Sequence, residues 1–376
     1  MGRSGLQVRP VAGGVRRDGP DMKSTLFRLI AVALGVLGAG AIGEAALRLG
    51  GYSPSYVNPL GSFHESHPLV GYRGKPNFSG RFRTAEFDAL IVHDANGFRR
   101  QEYQTPLAQS RHRILVFGDS FTWGWGVSQG DEFTDQMSRQ LPGYHVMNFG
   151  LNASGTLQQA VLFETYGRPL LAPGDTLLLM FFNNDFNDNL TGFLHAELRD
   201  GEIRLVGPVK KLRKKSVLKD ASYLINAIVY SADRIRIAFK QRRVAQRTTQ
   251  LVELGTRSPE VVVLTHYLVA LRDACAHRQA RFVIAYIPGQ AELGEAPEVD
   301  AARLALEEVY RRTFFEVTQA LGIPTIDLLP QFLTIKQTDG VERLTYQRDE
   351  HWTPNGHAVA ARILSQFILE ADQRPR

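Results

Sequence analysis

From residue 112 onward, short apolar runs alternate with longer stretches of helical periodicity. Residues 113–117 (RILVF), 144–149 (YHVMNF), 176–182 (TLLLMFF), 281–287 (RFVIAYI) and 323–328 (IPTIDL) are rich in β-branched and aromatic side chains and lack a polar face. Parallel strands covered on both sides look like this. Helical patterns occupy 131–140, 155–170, 260–278 and 300–321, and a last helix follows Pro354, which suits a first helical turn. The alternation predicts an α/β fold with a doubly wound parallel sheet over residues 111–376. Residues 195–257 interrupt it. There Leu224, Ile225, Ile228, Val229, Ile235 and Ile237 trace a partly amphipathic helix. The segment is expected to be an inserted helical cap, placed at a substrate entrance or against a membrane.

Upstream the pattern changes twice. Residues 51–110 are rich in Gly, Pro, Asn and Tyr, with alternating stretches such as Arg81-Phe82-Arg83 and a turn at Ala95-Asn96-Gly97, which predicts a small β-rich lead-in. Residues 29–43 (LIAVALGVLGAGAIG) are uncharged and apolar, with Arg16, Arg17, Lys23 and Arg28 before them and a Glu44/Arg48 pair after. Extended through Leu49, this run approaches the ~20 residues that cross a bilayer. Basic residues on its N-terminal side place that side in the cytoplasm and the rest of the chain outside. Residues 22–50 are therefore read as a signal-anchor. A cleaved signal peptide is the rival, since Ala39-Gly40-Ala41 fits a small-residue processing site. Residues 1–21, Gly/Arg-rich and aperiodic, are expected to be a disordered leader, and Met22-Lys23 would itself open a normal signal-anchor.

Composition narrows the function classes. At 376 residues and 44% hydrophobic, the chain can bury a full core. Its one cysteine excludes an intrachain disulfide framework and a Cys-based zinc site. The net charge of +6 comes from local clusters, Lys210, Lys211, Arg213 and Lys214, then Arg234, Arg236, Lys240, Arg242, Arg243 and Arg247. No nucleic-acid motif or aromatic interleaving accompanies them, so a nucleic-acid partner is not expected. An anionic membrane surface or a solvated helix face accounts for them.

The chemistry sits where the predicted strands end. Ser120, in Gly118-Asp119-Ser120, follows the first strand, where crevices form in open α/β sheets. Such a tripeptide can also be a turn whose Asp and Ser make only local hydrogen bonds. As a nucleophile, Ser120 requires a base. In Asp349-Glu350-His351 the acid and the histidine are two apart, so an extended loop puts both side chains on one side. Asp349 would then orient His351, which takes the serine proton. His357 competes as base, but it falls a turn inside the last helix, where it is expected to cap or pack. Gly150 after the second strand and an asparagine after the third are candidate donors to an oxyanion, a backbone N–H and a side-chain amide, and Asn183 and Asn184 both offer that amide. Phe121, Trp123 and Trp125 beside the serine either pack the core or stack on sugar rings.

Taken together, Gly118-Asp119-Ser120, Gly150, Asn184-Asp185 and Asp349-x-His351 resemble the four sequence blocks of the SGNH/GDSL hydrolases. The surrounding phrases FGDSFTWGWGV, NFGLNASGTLQQ, FFNNDFNDN and DEHWTPNGH resemble those of membrane-anchored bacterial members. The resemblance covers residues 113–370. It implies a flavodoxin-like three-layer α/β/α fold and metal-free, cofactor-free ester hydrolysis or acyl transfer. It also implies Ser120 as nucleophile and N–H donor, Gly150 and Asn184 as the rest of the oxyanion hole, and His351 with Asp349 as base and partner. Asp119 is implied to be structural. The family's last block is usually Asp-x-x-His; the shorter Asp-x-His followed by Trp352 resembles an alginate O-acetyltransferase-like branch. Phe182 stands where the third block usually carries glycine. The expectation is a serine esterase acting on envelope carbohydrate or lipid esters, anchored in a bacterial inner membrane with its catalytic domain in the periplasm. An O-acyltransferase on an envelope polysaccharide and a non-catalytic glycan-binding module are the alternatives.

Overall fold

The computed structural model describes residues 22–52, 63–84, 86–207, 222–229, 257–296 and 301–373, with 231, 232 and 255. The chain opens with helix α1 (Met22–Leu49), then two hairpins, β1 (His64–His67) with β2 (Gly71–Gly74) and β3 (Ser79–Arg83) with β4 (Asp88–Val92). There follow β5 (His112–Gly118), the single turn α2 (Ser120–Trp123), α3 (Phe133–Gln140), β6 (Tyr144–Asn148) and α4 (Thr156–Leu162), which runs on as a π-turn. Next come β7 (Thr176–Phe181), α5 (Asp185–Thr191) and a hairpin of β8 (His195–Arg199) with β9 (Glu202–Val206). The last elements are α6 (Pro259–His277), β10 (Arg281–Tyr286), α7 (Ala301–Ala320), β11 (Thr325–Asp327), α8 (Leu328–Thr338) and α9 (Pro354–Gln373).

Five parallel strands form the central sheet in the order β11-β10-β7-β5-β6. All five predicted strands are present, and the architecture is the α/β sheet that the alternation implies. The central strand β7 is buried along its whole length, as a strand with helices on both faces must be. β6, at an edge, alternates between buried and half-buried positions, with His145 and Met147 on its less covered face. One apolar cluster fills each face of the sheet, the first around Phe117, Leu179 and Phe181, the second around Val116, Met180 and Trp352.

The strand order is the flavodoxin-like 2-1-3-4-5, and it fixes where a site forms. From β5 the chain steps outward to β6, then returns past β5 to β7. The crevice at that reversal lies beyond the carboxyl ends of β5 and β7. Ser120 follows β5 and Asn184 follows β7, so both candidate residues border it.

Three segments depart from expectation. The insertion at 195–257, expected to be a helical cap, opens as the β8–β9 hairpin. Its turn is Asp200-Gly201, both at positive φ (55° and 82°), the backbone a two-residue hairpin needs. Residues 223–229 are helical, while Ile235, Ile237 and both basic clusters lie outside the described residues. α8 begins directly after β11, where the run 323–328 reads as strand. Asp327 caps it by accepting the Leu329 N–H (3.1 Å), and Pro330 falls in its first turn, where a missing N–H costs nothing. α5, in an Asn/Asp-rich stretch outside the helical patterns of the sequence, packs on α6.

The lead-in is two short hairpins, packed on the loop after Ser120. Phe63, Phe82, Phe87, Ala89 and Ile91 share a buried cluster with Trp123 and Trp125. α1 spans Met22–Leu49, and its Lys23–Leu49 stretch, which reaches a mean hydropathy of 2.0 over its most apolar window, is long and apolar enough to cross a membrane. Residues 1–21, expected to be a leader, lie outside the described residues.

Candidate active site

Ser120 is held by the tightest packing in the sheet. A Cβ on Gly118 would lie 2.1 Å from Thr122 Oγ1 and 2.9 Å from Met180 Cβ, so only glycine lets β5 end against β7 there. Asp119 then caps α2, its carboxylate accepting the Phe121 N–H (2.9 Å). Ser120 is the first residue of that turn, where a backbone N–H has no intrahelical acceptor.

Ser120, His351 and Asp349 come together. Ser120 Oγ is 2.7 Å from His351 Nε2, and His351 Nδ1 makes a short contact with Asp349 Oδ1. Asp349 Oδ1 also accepts the His351 backbone N–H (3.1 Å), which fixes the loop that sets both side chains side by side. Burial alone would lower the His351 pKa. The Asp349 charge and hydrogen bond, with the charges of Glu350 and Asp119, outweigh it, and the net shift is upward. Burial likewise pushes the Asp349 carboxyl up, but His351 and the Trp125 indole hold it net below its ordinary value.

Trp125 touches both partners. Its indole N–H donates to Asp349 Oδ2 (3.0 Å), and its ring stacks on the imidazole at 5.3 Å between centroids. The sequence offered core packing or sugar stacking for this residue. It is buried, but against Asp349 and His351 as well as against Phe82. Arg99 fixes the loop that carries it, donating from Nη1 to Gly124 O and from Nη2 to Val127 O, both at 3.0 Å. Glu86 accepts the backbone N–H groups of Arg348 and Asp349 at 3.0 Å. Arg99 and Glu86 both belong to the lead-in, so the hairpins brace the loops that carry Trp125 and Asp349 from outside the sheet. Nothing in their local sequence marks them; the exposed-looking Glu86 and Arg99 acquire partners only through tertiary packing.

His357, the competing base, is fully buried and accepts the Phe133 N–H at Nδ1 (3.2 Å), so it caps the start of α3. Burial pulls it down to about 3, which keeps it a neutral acceptor there. Phe182, in place of the family glycine, packs on Phe121 with 4.8 Å between ring centroids.

The two donor candidates are differently placed. The Gly150 N–H donates to Asn148 Oδ1 (2.8 Å), while Asn148 Nδ2 donates to Thr122 O (2.7 Å), so this side chain ties the end of β6 to α2. A Cβ on Gly150 would meet Trp123 N at 2.3 Å and Thr122 C at 2.6 Å. Gly150→Ala is therefore expected to push α2 aside and destabilise the fold by about 1–3 kcal/mol. Thermal unfolding measures this; an unchanged midpoint would show that α2 yields without cost. Asn184 leads into α5, and its Nδ2 donates to Asp188 Oδ2 (3.1 Å). It also borders Asp119, whose carboxyl burial pushes up to about 7 and which the Asn184 side chain, among others, pulls back down.

The site is thus a hydroxyl, an imidazole and a carboxylate in hydrogen-bonded series, with polar donors at two strand ends. Residues 242–376 match the family described as SGNH hydrolase-like domain, acetyltransferase AlgX. No curated protein matches the chain. Among solved structures, a lipolytic protein of the G-D-S-L family from Veillonella parvula is 14% identical, with 70% of this chain and 100% of that one covered and a TM-score of 0.39. Axe2, an acetylxylan esterase from Geobacillus stearothermophilus, is 12% identical, covering 69% and 94%, at 0.38. Est24, a carbohydrate acetylesterase from Sinorhizobium meliloti, is 12% identical, covering 69% and 100%, at 0.38.

Proposed function

We propose that this chain, a member of the SGNH hydrolase-like family over residues 242–376, is a serine-dependent esterase acting on carbohydrate or lipid esters of the cell envelope. The 2.7 Å approach of Ser120 Oγ to His351 Nε2 carries the reading. Ser120 Oγ attacks the ester carbonyl while His351 takes its proton, and Asp349 stabilises the imidazolium that results. The oxyanion accepts hydrogen bonds from the Ser120 N–H and the Asn184 amide. Gly150 adds its N–H when Asn148 releases it. Collapse of the tetrahedral species breaks the ester C–O bond, and His351 returns the proton to the departing alcohol. Water, deprotonated by His351, then frees the acyl group from Ser120.

Asn184→Ala is expected to lower kcat by ~10²–10³, the effect of losing one oxyanion donor. The kcat should fall far more than KM changes, because the amide works on charge that exists only in the transition state. Turnover at the unsubstituted rate would remove Asn184 from the hole.

A second reading, O-acyl transfer to an envelope polysaccharide, is favoured by the acetyltransferase in the matching family's description and by the short Asp349-x-His351 spacing. A sugar hydroxyl then replaces water in the second half of the reaction. Turnover of p-nitrophenyl acetate through octanoate, with and without oligosaccharide acceptors, separates the two. Free acid whatever the acceptor supports hydrolysis, and acylated sugar supports transfer. The chain length preferred identifies the acyl group. The length and apolarity of Lys23–Leu49, with Lys23 and Arg28 towards its N-terminal side, support a single-pass anchor in a bacterial inner membrane with the catalytic sheet in the periplasm.

A further inference from the structure

The insertion's helical stretch at 223–229 is bound to the far end of the apolar helix. The Glu44 carboxylate, on α1, accepts Ser222 Oγ–H (2.9 Å), the Tyr223 N–H (3.0 Å) and the Leu224 N–H (2.9 Å). It thereby satisfies the first turn of a helix far away in sequence. Arg48 Nε donates to the same carboxylate (2.8 Å), and its guanidinium lies 4.3 Å over the Tyr223 ring. Tyr52 donates from its hydroxyl to Asn226 Oδ1 (3.2 Å). A Cβ added at Gly43 would lie 3.4 Å from both Leu224 methyl carbons, so Leu224 covers that face of α1.

Depth along α1 gives this clasp a location. The uncharged run from Leu29 to Gly43 lies between Arg28 and Glu44, and these two charges are about 24 Å apart along the helix at ~1.5 Å per residue, most of the ~30 Å of a bilayer's hydrocarbon core. Glu44 then marks the outer boundary, and what docks on Glu44–Tyr52 lies among the headgroups. A carboxylate at that depth is costly unless paired, and this one has Arg48 and the three donors from 222–224. The docked stretch is itself apolar. Among its residues Leu224, Ile225 and Val229 are only half-buried, Asn226 is buried, and Ile228 is 59% exposed. In water that exposure is a cost. At the acyl–headgroup boundary it is a gain.

We propose that residues 222–229, clasped to α1 through Glu44, are a second membrane contact, an apolar helical segment seated on the outer face of the lipid bilayer. The proposal rests on α1 spanning the membrane. Because the segment lies in the insertion between β9 and α6, the chain of the catalytic sheet is then tied to lipid at two points, one before the sheet begins and one in its middle. A substrate embedded in or attached to that lipid surface is the kind this arrangement keeps within reach.

The test uses the full chain in phosphatidylcholine–phosphatidylglycerol vesicles carrying nitroxide-labelled lipid. Cys275 is buried (1% exposed), so single cysteines introduced at the surface take an environment-sensitive fluorophore selectively. Leu34→Cys reports α1, Ile228→Cys the docked segment, and Leu90→Cys the exposed side of the lead-in. Strong quenching is expected at position 34, quenching at 228 several-fold above that at 90, and none above background at 90. Adding Glu44→Gln should reduce quenching at 228 and leave it unchanged at 34. Quenching at 34 with position 228 as unquenched as 90 overturns the second contact while the anchor stands. Absence of quenching at 34 overturns the spanning reading, and the proposal with it.

Discussion

Asp349→Asn is expected to lower kcat/KM by about 10⁴ and to move the acid limb of the pH profile downward. The fall has a geometric cause. His351 Nδ1 faces Asp349 Oδ1 and Nε2 faces Ser120 Oγ, so the carboxylate selects the tautomer whose Nε2 is free to accept the serine proton. An asparagine amide can offer N–H at that position and favour the wrong one. The pH shift has an electrostatic cause. His351 acts as a base only when neutral, and with Asp349 present its pKa lies above the ordinary ~6.5. Activity of the unsubstituted protein is therefore lost as pH falls through a value above 6.5. Without the carboxylate, burial remains as the largest influence and lowers the histidine pKa, so the limb moves to lower pH. Rates measured from pH 5 to 9 on both proteins check the two effects together.

Ser120→Ala is expected to reduce turnover by on the order of 10⁶, the loss seen when a nucleophile is removed from a working triad. The fold should be untouched. The Ser120 hydroxyl bonds to His351, while α2 is capped by the Asp119 carboxylate and braced by Asn148 through Thr122 O. Circular dichroism and the thermal midpoint should match the unsubstituted protein. Residual turnover within tenfold of it would mean that another group attacks the ester, and Ser120 would then be a turn residue.

Much of this was legible in the chain. The five strands announce themselves because central parallel strands are apolar on both faces, and strand ends are where α/β folds place chemistry. Ser120, Asp349 and His351 could be picked out because each sits beside such an end or before the last helix, and the structure brings them into hydrogen-bonded contact. The lead-in's part was not legible. Trp125 meets Asp349 across 224 positions, and Glu86 meets Arg348 across 262. No local pattern encodes contacts of that range. The β8–β9 hairpin is a different case. Its Asp200-Gly201 turn was in plain view, but the apolar positions from Leu224 onward drew the whole insertion towards a helical reading. Gly150 shows a third limit. A glycine at a strand end suits a donor to an oxyanion and also suits a close backbone crossing, and here the crossing under Trp123 is what excludes a side chain.

The central claim is that Ser120 is the group acylated. Its most direct test is mass spectrometry of the full chain after reaction with a fluorophosphonate, followed by peptide mapping. A single adduct is expected on the peptide containing Gly118-Asp119-Ser120, formed in step with loss of ester turnover and absent from folded His351→Ala. An adduct on a different residue, or none on folded protein that still cleaves p-nitrophenyl acetate, would contradict it.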